Sequence, residues 1–147
     1  MPGRRWFISG LAATWVFGLA HLGGFLQAAR TARNDPRMSD LTRAMRAHQT
    51  NLLGFHPSIL DFREYFSLNF SILLWLAAAL GYAALATAPD QRRAIRVLSP
   101  CYVAGMVLLL ATSLHFSVPQ GLLSCACVAI LFGLAWRRAE ATPAGPS

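Results

Sequence analysis

Four long apolar runs, separated by short polar connections, dominate the pattern of this chain. They cover residues 6–28, 58–86, 97–115 and 120–136. A helix needs about 20 mostly apolar residues to cross a bilayer, and each run approaches or exceeds that. Arg4, Arg5 and Arg30 bound the first, and Arg137 and Arg138 stop the fourth. The expected fold is therefore all-α: an integral membrane four-helix bundle forming one domain over residues 1–138. The end from 139, "AEATPAGPS", is small, polar and Pro-rich, so it is expected to be a disordered tail. The first run is too long for a signal-peptide core and has no small-residue cleavage site after it. It reads as an uncleaved anchor.

The first connection has a pattern of its own. Leu41, Met45, His48 and Leu52 recur at i, i+4, i+7 and i+11, which makes one apolar stripe on a helix. Ser39 is placed to cap it, and Gly54 to end it. An amphipathic interfacial helix over about 40–53, lying on the membrane surface, is expected.

Polar residues inside the runs follow helical spacing. In the first, Gly10, Thr14, Gly18, His21, Gly24 and Ala28 share a side, and small residues at such intervals let helices approach closely in lipid. In the second, Asp61, Glu64, Tyr65, Asn69 and Ser71 share a broad face, while Phe62, Phe66 and Phe70 form a ridge assigned to lipid. In the third, Cys101, Ala104, Leu108, Ala111, Thr112 and His115 align. In the fourth, Gln120, Ser124 and Cys127 do so. His21, Asp61, Glu64, His115, Gln120 and the surface residues His48, Gln49 and Asn51 all fall near one end of the bundle. The opposite half is nearly bare of polar groups.

Composition supports lipid as the solvent. Of 147 residues, 55% are hydrophobic and only 13% charged, against about 25% charged in soluble domains. The mean hydropathy is +0.44. The net charge of +7 comes from thirteen arginines in short clusters between apolar runs, the distribution of a polytopic protein rather than of a nucleic-acid-binding face. With four crossings both termini lie on one side. Seven arginines flank that side and six the other, where Asp35, Asp40, Asp61 and Glu64 dilute them. The bias puts the termini in the cytoplasm of a bacterial inner membrane.

No nucleotide, zinc or nucleophile-elbow motif occurs. Cys101, Cys125 and Cys127 lie within apolar runs and read as packing residues. His21 and His115 sit at different depths, about 10 Å apart along the axis by helical rise, which disfavours shared haem ligation. No metal or cofactor is expected.

Asp61 and Glu64 admit two readings. Acids at a helix N-terminus complement its dipole. Facing the bundle, they form a carboxylate pair able to exchange protons. His21 is buried deeper among small residues, and ionisable groups within the membrane usually have a function. The leading expectation is a cofactor-independent acid–base enzyme acting on a lipophilic small molecule by isomerisation, cyclisation or epoxide opening. Asp61, Glu64 and His21 would be catalytic, and Asn69, Tyr65, His115, Gln120, Asn51 and His48 would bind substrate. The rival is a non-catalytic membrane subunit binding lipid, quinone or a partner membrane protein, as a homodimer or within a larger complex.

"GLAHLGGF" in the first run, the polar connection after it, and "DFREYF" opening the second resemble small bacterial four-helix membrane proteins of the DoxX-like and related groups. The resemblance implies the four-helix membrane layout and no particular activity, and no site residue is carried over from it.

Overall fold

The structure is a computed structural model that describes residues 2–115 and 119–141, apart from the side chains of residues 2, 119 and 120. Five helices follow in order: α1 (Pro2–Asn34), α2 (Pro36–Ala47), α3 (Ile59–Thr87), α4 (Gln91–His115) and α5 (Pro119–Ala141). All but α2 are long and apolar enough to cross a membrane.

Local chemistry sets the helix ends, and in places moves them from where hydropathy alone puts them. Nothing breaks α1 at Arg30, so it continues to Asn34. The next break is Asp35–Pro36, which starts α2 earlier than Ser39. The Asp35 carboxylate accepts from the Arg37 N–H at 2.9 Å, and Pro36 occupies the first turn, where its missing N–H costs nothing. Asp90 caps α4 in the same way, accepting from the N–H groups of Arg92 and Arg93 at 2.9 and 3.1 Å. The α5 helix runs to Ala141, three residues into the expected tail. Arg92 and Arg96 account for this, since both guanidiniums donate to the Ala139 and Glu140 carbonyls at 2.7–3.4 Å. Those carbonyls have no acceptor role left inside the helix, and cations suit a helix C-terminus.

The chain divides into two compact units, Met1–Val16 with Leu76–Ser147, and Phe17–Trp75. The first unit is a helical bundle of the start of α1, the end of α3, α4 and α5. Phe132 meets Phe7 edge-on at 5.3 Å between ring centroids and stacks on Tyr102 at 4.4 Å. The Tyr102 hydroxyl donates to the Ala77 carbonyl at 2.5 Å. One aromatic cluster thus joins all four segments. Close approach depends on Gly10, where an added Cβ would come within 2.8 Å of the Phe132 ring. Thr14 and Ser99 are also fully buried here. Pro100 lies within α4 and deprives the Arg96 carbonyl of its usual donor.

The second unit holds the end of α1, α2, the connection and the start of α3. Gly18 lets α1 lie against the Trp75 indole and the Ser71 carbonyl. Phe17 and His21 both meet Phe70 edge-on, at 5.8 and 4.8 Å. Phe70 therefore packs inward, whereas Phe66 is exposed as the ridge assignment requires. The small-residue stripe of α1 lapses further on, since a Cβ at Gly24 would meet nothing within 4 Å.

The interfacial helix expected over 40–53 ends at Ala47. Residues 48–58 fold back as a short hairpin instead. Gln49 bridges Ser58 and Leu52 bridges Phe55, both antiparallel. Leu52 and Phe55 exchange two N–H···O=C bonds of 2.9 Å. The two turn residues, Leu53 and Gly54, have φ of 53° and 86°, the left-handed pair that a two-residue hairpin requires. Glycine accepts this freely, but for leucine it costs about 1–2 kcal/mol.

Replacing Phe132 by Ala removes the centre of the aromatic cluster. It should lower the unfolding free energy by about 3 kcal/mol, read from thermal or denaturant unfolding in a mild detergent, while Phe66→Ala should change it by less than about 0.5 kcal/mol.

Candidate functional site

One pocket stands out, and it lies wholly within the second unit. Its volume is about 450 Å³, and each of three helices lends it one stripe. From α1 come Phe25, Ala29, Ala32 and Arg33, from α2 Ser39, Thr42, Arg43 and Arg46, and from α3 Leu60, Arg63 and Glu64. Within each helix the spacing is three or four residues, one face of an α-helix. Phe25, Ala29, Ala32 and Leu60 make an apolar surface. Four guanidiniums and two hydroxyls make a polar one, with Glu64 the single carboxylate.

The arginines have few close partners, although Arg46 lies near enough to help stabilise the Asp61 carboxylate by its charge, after the Ser58 hydrogen bonds that do most of it. Arg43 reaches Asp40 at 3.4 Å, in a pair whose side chains are both well exposed, an interaction worth little in water. No ion pair involves Arg33, Arg46, Arg63 or Glu64 among the described residues. The Thr42 hydroxyl donates to the Met38 carbonyl at 2.8 Å, which leaves its lone pairs free to accept. Each guanidinium offers five N–H donors in a planar fork suited to carboxylate or phosphate oxygens. Chemically, the lining offers hydrogen-bond donors for an anionic group beside an apolar surface.

The residues expected to form the site are dispersed relative to it. Glu64 lines the pocket, but Asp61 and His21 are not among its lining residues. Asp61 is engaged in a capping box. Its Oδ2 accepts from the Ser58 N–H at 2.8 Å and the Ser58 hydroxyl at 2.7 Å, while its own N–H donates to Ser58 Oγ at 3.2 Å. This reciprocal bonding at a helix start satisfies two otherwise orphaned N–H groups, and it is the helix-terminal role open to Asp61 from sequence. His21 and Phe70 meet edge to face at 4.8 Å, and the His21 Nε2 is buried with no hydrogen-bond partner among the described residues. Asn69 donates to the Tyr65 carbonyl of its own helix at 2.9 Å. Tyr65 is 61% exposed and lies against Phe66, so it does not share an inward face with Ser71, which is buried. His48 caps the end of α2, and its carbonyl accepts from the Ile59 N–H at 3.1 Å. The Asn51 side chain accepts from the Gly54 N–H at 3.3 Å and ties the hairpin turn.

His115 and Gln120 belong to the other unit. The α4 face carrying Cys101, Ala104, Leu108, Ala111, Thr112 and His115 is exposed along its length, and α4 buries Ile95, Ser99 and Met106 instead. On α5, Cys127 is exposed and Cys125 buried. The Gln120 side chain lies outside the described residues. Among the described residues, no three His, Cys, Asp or Glu side chains gather in a way that could hold a metal ion.

Sequence reasoning passed over Arg33, Arg43, Arg46 and Arg63. The signal was present in the spacing of Ser39, Thr42, Arg43 and Arg46 along α2. Attention to the apolar stripe of that helix concealed it. Of that stripe Leu41 is exposed and Met45 half-buried, and α2 has no buried residue.

Comparison with protein families, with characterised proteins and with solved structures finds no match to this chain.

Two substitutions separate structural from functional roles here. Ser58→Ala should cost about 1 kcal/mol by removing the cap, seen as faster amide exchange in the first turn of α3. His21→Leu should leave stability unchanged or raise it by about 1 kcal/mol, because a buried nitrogen without a partner is replaced by an apolar group. A thermal melt of the purified variant reads the second effect.

Proposed function

We propose that this chain is a multi-pass membrane protein that binds a lipophilic small molecule by its anionic head, in the pocket between α1, α2 and α3. The observation that carries this reading is the lining itself, four arginines and two hydroxyls set against an apolar wall. Helices α1, α3, α4 and α5 cross the bilayer. Exposed leucines along them, such as Leu73, Leu80, Leu108 and Leu123, suit acyl chains as neighbours. The termini lie in the cytoplasm and the pocket opens at the outer side of a bacterial inner membrane. Four of the six arginines on that side line the pocket, which gives them a task other than setting orientation.

In this reading the head, a phosphate or carboxylate, takes charge-assisted hydrogen bonds from Arg33, Arg43, Arg46 and Arg63. The apolar part lies on Phe25, Ala29, Ala32 and Leu60.

Glu64 favours a second reading, in which the bound molecule also reacts. It is the only carboxylate among the residues that line the pocket. As a proton donor or acceptor it would serve an isomerisation, cyclisation or epoxide opening without a cofactor. His21 and Asp61 would act only indirectly, Asp61 by holding the start of the helix that carries Glu64.

Titration calorimetry in an uncharged detergent tests the binding, with dodecyl phosphate, dodecanoate and inorganic phosphate as probes. Wild-type protein should bind both amphiphiles and hold inorganic phosphate at least tenfold more weakly. The Arg43→Ala/Arg46→Ala variant should lose about tenfold or more in affinity, since one charge-assisted hydrogen bond is worth about 1.5–3 kcal/mol. Unchanged affinity in that variant would refute the assignment. Glu64→Gln removes a like charge and should tighten binding severalfold. If the pocket also catalyses, mass spectrometry should find a different co-purifying lipophilic species in Glu64→Gln than in wild type.

A further inference from the structure

The hairpin of residues 48–58 presents apolar side chains that nothing in the fold requires. Leu53 is 94% exposed and Phe55 75% exposed, with Leu52 and Ile59 also exposed beside them. Leu53 moreover sits at φ 53°, a conformation that glycine or asparagine takes far more easily. The tip is nonetheless held firmly. Leu52 and Phe55 are doubly bonded through their backbones, Thr50 donates from both N–H and Oγ1 to the Pro57 carbonyl, and Asn51 secures Gly54. A strained, well-braced turn that displays a leucine to the outside is arranged to bury that leucine in something else.

Its place in the chain indicates what covers it. Residues 47–60 carry no Asp, Glu, Lys or Arg, and charged groups begin on either side of them, Asp40, Arg43 and Arg46 before and Asp61, Arg63 and Glu64 after. The hairpin also leads directly into α3, whose Phe66, Leu68, Ile72 and Leu73 are exposed and which is long and apolar enough to cross a membrane. An apolar tip between charged ends, continuous with such a helix, matches the boundary between headgroups and acyl chains in a leaflet.

We infer that the Leu52–Phe55 turn is a membrane anchor that dips into the leaflet on the pocket side. Leu53 and Phe55 enter the acyl region, and the flanking charged residues stay at headgroup level. The hairpin then holds α2, and with it Ser39, Thr42, Arg43 and Arg46, at the depth where amphiphile heads lie. This inference rests on the reading of α1, α3, α4 and α5 as membrane-crossing helices.

Nitroxide depth measurement tests both and tells them apart. The chain is reconstituted in vesicles of phosphatidylethanolamine and phosphatidylglycerol, with Cys101, Cys125 and Cys127 replaced by Ala. A spin label is attached at Leu53→Cys, at Leu108→Cys on the exposed face of α4, or at Glu140→Cys as a water reference. Oxygen should relax the labels at 53 and 108 severalfold more than a nickel chelate does, and the order should reverse at 140. A label at 53 that favours the chelate, while 108 favours oxygen, overturns the anchor and leaves the membrane reading intact. Chelate preference at both positions overturns the membrane reading and the anchor together. A label at 53 that is immobilised and reached by neither reagent places the tip against protein, either a second copy or a partner, and also overturns the anchor. Should the cysteine-free chain fail to fold, Leu53→Trp in the natural background gives the same answer. Its added fluorescence should be quenched at least twofold by lipids brominated on their acyl chains, and lack of quenching counts against the anchor.

Discussion

Close approach of helices at small residues is the constraint on which this architecture rests. The residues buried most deeply include Thr14, Ser71 and Ser99, whereas many of the leucines face out. Association of these helices draws on close packing at small residues and on local hydrogen bonds. Gly10 under the Phe132 ring and Gly18 under the Trp75 indole supply the packing. Thr14 donates to the Gly10 carbonyl at 2.8 Å, which satisfies its hydroxyl without leaving the helix. The Phe7–Tyr102–Phe132 cluster exists because Gly10 leaves room for a ring at that level.

The same economy shapes the polar end of the second unit. Asp61 and Ser58 satisfy each other at the start of α3. Glu64, one turn on, is left available. Helix α2 buries no residue, and its Leu41, Arg43 and Arg46 are all exposed. The hairpin completes the arrangement by fixing where α2 ends. His48 supplies the acceptor for the Ile59 N–H, which joins the end of α2 to the start of α3 across eleven residues of chain without a further element.

This places binding ahead of reaction as the reading of the site. A binding pocket needs complementary charge and an apolar wall, and α1, α2 and α3 provide both. A reaction centre needs a proton donor or acceptor held against the reacting atom, and of the three groups considered for that role only Glu64 lines the pocket. His21 contributes a buried, unpartnered nitrogen beside Phe70 rather than a pocket wall.

Length and hydropathy alone determined the all-helical class, the four long apolar helices and their order, because an apolar run of about 20 residues has few other stable forms. The small-residue face of α1 was equally legible at Gly10, Thr14 and Gly18, since helical periodicity fixes which residues can touch a neighbour. Helix ends were less so. Asp35, Asp90 and the paired Arg92 and Arg96 set them through single hydrogen bonds that hydropathy does not register. The site was decided by the tertiary structure. Periodicity assigns residues to a face but does not say which way the face points, so the α4 face through His115 was legible as a stripe while its outward orientation was not. The arginine pocket is assembled from three stripes on three helices, and only their packing against one another makes them one surface.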